Sequence, residues 1–118
     1  MNSFYNVKEE KNKIRQIYKA KRLELDPNKK KALDEAICQR VITLASYRFA
    51  DTLLLYYPLK NEIDTRPIFE DALSKGKTVA FPKCLENSIM EYRIVRSYAD
   101  LSSGKYGIME PNADTEPY

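Results

Sequence analysis

Residues 52–83 read TLLLYYPLKNEIDTRPIFEDALSKGKTVAFPK, and this stretch decides the fold. It opens on a continuous apolar run, Thr52 to Tyr57, of the kind found in strands buried on both faces of a parallel sheet. Pro58 ends the run. The polar loop Leu59-Lys60-Asn61-Glu62-Ile63-Asp64 follows, and then a helix from about Thr65 to Lys75. Asp64 or Thr65 can cap that helix, Pro67 suits its first turn, and Gly76 suits its stop. Thr78 to Phe81 is a second buried strand, closed by Pro82. A strand, a helix and a strand joined this tightly must cross over right-handedly into a parallel sheet.

Outward from this unit, two helices precede it. The first runs from about Lys8 to Glu24, with Ile14, Ile17, Tyr18 and Leu25 recurring on one side. Asp26 and Pro27 open the second, which reaches about Ala45 and repeats Leu33, Ile37, Val41 and Leu44 along one face. After the unit, Met90 to Val95 alternates as a third strand, nearer a sheet edge. Ser97 to Tyr118 reads as loop. The expected architecture is one α/β domain over residues 1–118: two leading helices (1–45), a strand–helix–strand–strand core (52–95) and a closing loop (96–118). Such a sheet wants further βα units, so it reads as incomplete at its C-terminal end.

The chain has 118 residues, 43% hydrophobic and 31% charged, the balance of an ordinary globular domain. No apolar run approaches the roughly 20 residues of a membrane helix, and residues 1–13 do not read as a secretory signal, so a cytoplasmic protein without membrane contact is expected. There is no histidine. That excludes Ser-His-Asp and Cys-His catalysis and His-based metal sites within this chain, leaving carboxylates, Lys, Arg, Tyr, backbone groups and a bound metal. Cys38 and Cys84 stand apart, in no ligand spacing, and read as buried or neutral thiols.

Net charge is only +3, yet Lys8, Lys11, Lys13, Arg15, Lys19, Lys21 and Arg22 crowd the first helix. Such a face can bind an anion or simply be solvated. Lys11 and Arg15, four residues apart, can grip a polyphosphate from one side. Glu62 lies in a loop beyond a strand's carboxyl end, where α/β sheets bind ligands. It can accept hydrogen bonds from a polar heterocycle, against a flat wall of Tyr57 and Pro58. Lys83, after the second strand, is expected to add positive charge over the same site.

Lys11-Asn12-Lys13-Ile14-Arg15 fits the pattern K-x-x-[LI]-R, with Arg22 following, and residues 56–65, YYPLKNEIDT, fit Y-x-P-x-x-x-E-[IV]-D-T. Ala80-Phe81-Pro82-Lys83, Met90-Glu91-Tyr92 and Tyr106-Gly107-Ile108-Met109-Glu110-Pro111 continue the series. In order and spacing these segments resemble the 5-formyltetrahydrofolate cyclo-ligase family. The resemblance implies a Rossmann-like, three-layer, mostly parallel sheet of the sugar-isomerase and CoA-transferase type. It implies conversion of 5-formyltetrahydrofolate and ATP, with Mg²⁺, into 5,10-methenyltetrahydrofolate, ADP and phosphate. The formyl oxygen would attack the γ-phosphate, and N10 would then close the ring and expel phosphate, chemistry that needs positioning and charge neutralisation more than a protein nucleophile.

By that resemblance Lys11, Asn12, Lys13, Ile14 and Arg15 contribute to ATP binding, and Tyr57 and Glu62 to folate binding. It assigns no catalytic residue and no metal ligand here. Family members continue into a glycine-rich G-x-G-x-G-[YF]-[YF]-D segment that this sequence lacks. The expectation is therefore a truncated or cleaved product, or one chain of a divided protein, holding at most half of each site. A complete enzyme of this kind is expected to be a monomer. The alternatives are a small basic nucleic-acid-binding module and an inactive fragment that pairs with a partner through an unfinished sheet edge.

Overall fold

A computed structural model describes residues 6–104 and 107–118; Lys105 and Tyr106, within the expected closing loop, lie outside the described residues. The helix α1 (Val7–Leu23) starts on Asn6, whose side chain accepts from the Glu9 amide. The helix α2 (Pro27–Thr43) starts on Asp26 with Pro27 in its first turn, as the sequence predicts. A single turn, α3 (Ala45–Arg48), leads to β1 (Thr52–Leu54). Then come α4 (Arg66–Ser74), β2 (Thr78–Cys84) and β3 (Met90–Ile94). The three strands form one sheet in the order β1-β2-β3, with β1 parallel and β3 antiparallel to β2. The sheet is therefore mixed rather than mostly parallel.

Local signals are realised well around α4. The Asp64 side chain accepts from the Arg66 amide at the helix start. Gly76 sits at φ +75°, and the Gly76 and Lys77 amides fold back onto the Leu73 and Ala72 carbonyls. This is the glycine-dependent stop that a left-handed residue provides. The core lies between α4, α2 and the sheet: Ile68, Phe69 and Ala72 from α4 meet Cys38, Tyr47, Val79, Phe81, Val95 and Leu101. Phe69 packs edge-on against both Phe81 and Tyr98, with ring centroids 5.3 and 5.1 Å away.

Several expectations need correction. The strand from Thr52 ends at Leu54 rather than Tyr57, and it is not buried on both faces, since Leu54 is 51% exposed at an open sheet edge. The second strand does not stop at Pro82 but runs on to Cys84. Ala80 carries its backbone groups toward β1, where the Leu55 amide bonds its carbonyl, while Val79 serves β3 through the Val95 amide. By alternation Pro82 also faces the β1 side. The ladder runs as far as the Leu55 amide, and its next bond would need the N–H that Pro82 lacks, so pairing with β1 ends there.

The α2 face is also rotated from the one expected. Asp34 and Cys38 are its buried residues, whereas Leu33, Ile37 and Leu44 are largely exposed. Asp34 tolerates burial because its Oδ2 accepts from the Lys30 ammonium and the Asp64 amide, as described below. The apolar stripe of α1 packs on nothing in the core, and α1 buries none of its residues. Finally, the tail is not simply loop. The strands β4 (Leu101–Ser103) and β5 (Met109–Pro111) pair antiparallel, and the last residues bridge to β3 through Ile94, Arg93 and Tyr92. Gly104 is required in this hairpin, because a Cβ there would lie 1.9 Å from the buried Glu110 carboxylate.

Removing the aromatic centre of the core should be costly. Phe69→Ala is expected to lose about 3–5 kcal/mol, a large part of the ~5–15 kcal/mol available to such a domain. Phe49→Ala, at an 82% exposed ring, should change little. Urea unfolding followed by far-UV circular dichroism measures both.

Candidate functional site: a cleft beside the loop after β1

Where β1 ends, the chain leaves the sheet and residues 55–65 form a loop that side chains must hold. Lys30 of α2 does most of this. Its ammonium donates to Asp34 Oδ2 at 2.5 Å and to the Glu62 carbonyl at 2.8 Å. Asp34 Oδ2 also accepts the Asp64 amide, and Cys38 Sγ donates to the Asp64 carbonyl. Burial, followed by the neighbouring Asp64 and Asp34 carboxylates, pushes the Cys38 thiol up from its ordinary range. It is thus a neutral structural thiol, as its surroundings in the sequence suggest. Thr65 Oγ1 closes the loop by donating to the Tyr56 carbonyl.

This scaffold brings the two expected folate-contacting residues together. Tyr57, Pro58 and Glu62 line one cavity of about 280 Å³ with Lys30 and Arg66. Tyr57 and Glu62 also border a smaller one, about 180 Å³, with Pro82 and Cys84 where β1 and β2 diverge. One Glu62 oxygen is engaged already, accepting the Leu59 amide at 2.8 Å, so the other oxygen is the one that can face a ligand. Tyr57 stands edge-on to Tyr98, 6.5 Å between centroids. Both border a third cavity, beside Arg66 and Glu70. Partial burial, then the Glu70 carboxylate, raises the Tyr98 phenol to about 12.

Arg66 is clamped to Asp64 through Nε and Nη2 at 2.9 and 2.8 Å. Hydrogen bonding from that guanidinium holds Asp64 below the usual carboxylate range. A larger cavity, about 760 Å³, adjoins across Lys30, Lys60, Asp64 and Arg66 and reaches Arg22 at the end of α1. Lys11 to Arg15 line none of these cavities. They do share a side with Arg22: with about 3.6 residues per turn, positions 11, 15 and 22 lie on one helical face. Arg15 and Lys11 then stand roughly 10 and 16 Å up the helix axis from Arg22. Lys83, expected over the site, instead donates to the Pro111 carbonyl at 2.9 Å and lines no cavity here.

Lys30, Asp34, Arg66 and Tyr98 were not among the residues singled out from sequence. The spacing of Lys30 and Asp34, one helical turn apart, is a signal that could have found that pair. Nothing local marks Tyr98.

The sequence model of the 5-formyltetrahydrofolate cyclo-ligase family matches residues 7–117. The chain belongs to that family. A Schizosaccharomyces pombe protein named "Probable 5-formyltetrahydrofolate cyclo-ligase" is 33% identical over 82 residues, covering 68% of this chain and 40% of that protein. The solved 5,10-methenyltetrahydrofolate synthetase of Aquifex aeolicus matches 92% of this chain with a TM-score of 0.79 and 30% identity. That of Mycoplasma pneumoniae matches 74% with a TM-score of 0.62 and 27% identity. The chain spans 54% of each of these two solved cyclo-ligase relatives. Both share the mixed α/β fold over the parts of this chain that they match.

Two outcomes follow for the loop of this cyclo-ligase domain. Lys30→Met leaves the buried Asp34 carboxylate with the Asp64 amide alone, and should cost about 1–3 kcal/mol, measured by urea unfolding. Adding Asp34→Asn should recover part of that loss. For Asp64 the folded pKa lies below the unfolded value of about 3.9. Its stabilisation is thus present above that pH and fades as pH falls through the folded value. Arg66 is half exposed, so the effect should be under about 1 kcal/mol. An acid titration of stability should be correspondingly flatter below pH of about 4 in Asp64→Asn.

Proposed function

We propose that this chain supplies part of an enzyme converting 5-formyltetrahydrofolate to 5,10-methenyltetrahydrofolate, with ATP as phosphoryl donor and release of ADP and phosphate. The observation that carries the reading is the meeting of Tyr57 and Glu62 in one cleft, on a chain that the family matches almost end to end. In this reading Tyr57 and Pro58 form the flat wall against a pterin, and the outward Glu62 oxygen accepts hydrogen bonds from its polar edge. Lys30 orients Glu62 through the backbone, so it acts as a positioning residue.

The basic side of α1 fits a polyphosphate. Lys11 and Arg15 share one face of α1 with Arg22, which borders the adjoining cavity, and Asn12, Lys13 and Ile14 complete the segment. Asn12 lies within reach of Arg15 and can steer its guanidinium. For Mg²⁺ the fit fails within this chain: among the described residues no three His, Cys, Asp or Glu side chains converge on a common point. No step is assigned through the metal, which would enter with the nucleotide. The chain spans 54% of each of the two solved relatives, and in this reading it holds part of each site, while the full three-layer Rossmann-like sheet needs further strands. Cytoplasmic residence and a monomeric complete enzyme go with it.

The test is binding to this chain and turnover by a lengthened one carrying a glycine-rich segment. With 5-formyltetrahydrofolate, Glu62→Ala and Glu62→Gln should each weaken binding about tenfold, the size of a charge-assisted hydrogen bond. Only Gln keeps the Leu59 bond, so a loss shared by both reports ligand contact rather than loop collapse. Lys11→Ala and Arg15→Ala should weaken ATP binding similarly and leave folate affinity alone. Calorimetry reads the affinities, and absorbance of the methenyl product reads turnover. Wild-type affinities and turnover in all four variants would overturn the assignment.

A further inference from the structure

The cavity at the fork between β1 and β2 has walls from two parts of the chain. Tyr57 and Glu62 belong to the loop after β1, whereas Ile108, Met109 and Glu110 reach the same cavity from the β4–β5 hairpin. Glu110 is a carboxylate only 6% exposed, on a strand of three residues. Among the described residues it forms no ion pair. Its partner is backbone: Oε2 accepts the Cys84 amide at 2.8 Å.

That amide stands where β1 has gone. Along β2 every second residue turns its backbone toward β1, so Ala80, Pro82 and Cys84 share that side. Ala80 meets Leu55, and Pro82 has no N–H to give. At Cys84 a side chain from the hairpin occupies the position a strand would take. A part-buried N–H needs an acceptor, and an ionised acceptor makes a short, strong bond. A second tether lies one residue away, from Lys83 Nζ to the Pro111 carbonyl at 2.9 Å. Residue 104 leaves room for the carboxylate only as glycine, since a Cβ there would lie 1.9 Å from Glu110 Oε1.

We propose that Glu110 is a positioning residue for the folate: it takes over the β2 edge that β1 has vacated, holds Ile108 and Met109 in the wall of the Tyr57–Glu62 cavity, and so sets the width available to the pterin. The proposal rests on the folate reading above and adds a residue that reading does not use.

Calorimetry with 5-formyltetrahydrofolate and with ATP, urea unfolding, and the Cys84 amide in ¹H–¹⁵N NMR spectra test it. Glu110→Ala should weaken folate binding about tenfold, the size of one hydrogen bond to a charged group. It should also shift the Cys84 amide upfield and leave ATP affinity unchanged. Glu110→Gln keeps an acceptor for that amide and should restore the folate affinity and the amide shift together. Gly104→Ala leaves Glu110 in the chain but forces its carboxylate aside, so it should reproduce the loss. These two variants decide the matter even where Glu110→Ala fails to fold. Wild-type folate affinity in Gly104→Ala, or in a folded Glu110→Ala with a lowered urea midpoint, overturns the proposal and leaves Glu110 a purely structural group. A Gln variant that keeps the amide shift yet loses the ligand also overturns it, making Glu110 a direct ligand contact. Absence of folate binding by both the wild-type chain and the lengthened one overturns the folate reading itself, and this role falls with it.

Discussion

The cleft hangs on one ammonium group. Lys30 reaches from α2 to its own helix at Asp34 and across to the carbonyl of Glu62, and Asp34 in turn takes the Asp64 amide. No backbone ladder holds this segment, because β1 ends at Leu54 and α4 begins only at Arg66. Side-chain bonds from α2 therefore decide where Tyr57, Glu62 and Asp64 stand. A half-buried ion pair is a poor source of net stability, since desolvation offsets much of the attraction. Its value here is geometric: Lys30 and Asp34 tie the Glu62 carbonyl and the Asp64 amide to α2 and so position the loop.

Much of the fold was legible wherever the signal is local. The caps of α2 and α4, the proline in each first turn and the left-handed Gly76 depend on neighbours within a few residues, and they stand where the sequence puts them. The edge position of the third strand was readable from its alternation. What failed depended on distant partners. Asp34 looks like a surface charge until the Asp64 amide arrives, so the buried face of α2 was read one position out of phase. The β4–β5 hairpin is two strands of three residues, too short to show a period.

The site divides along the same line. Tyr57 and Glu62 come together because one loop carries both, so their meeting was foreseeable from strand, loop and helix order alone. The α1 segment rests on resemblance, for its helical phase says which residues share a side but not how far that side lies from the loop. Lys83 shows the opposite outcome: read as following β2, it lies within that strand, and the tail carbonyl of Pro111 has claimed its charge. That competitor lies 28 residues further along the chain, beyond the reach of any local pattern.

Pro82 turns a missing hydrogen atom into architecture. A parallel pair propagates for as long as both chains can answer each other, and here one chain falls silent at a fixed residue. Beyond that point β1 and β2 separate into a fork, and the opening is bordered by Tyr56, Tyr57 and Glu62 on one side and Pro82 and Cys84 on the other. Side chains around the fork can drift in size and polarity without moving it, because its apex is set by covalent structure. A binding crevice anchored in this way can change what it accommodates while keeping its address.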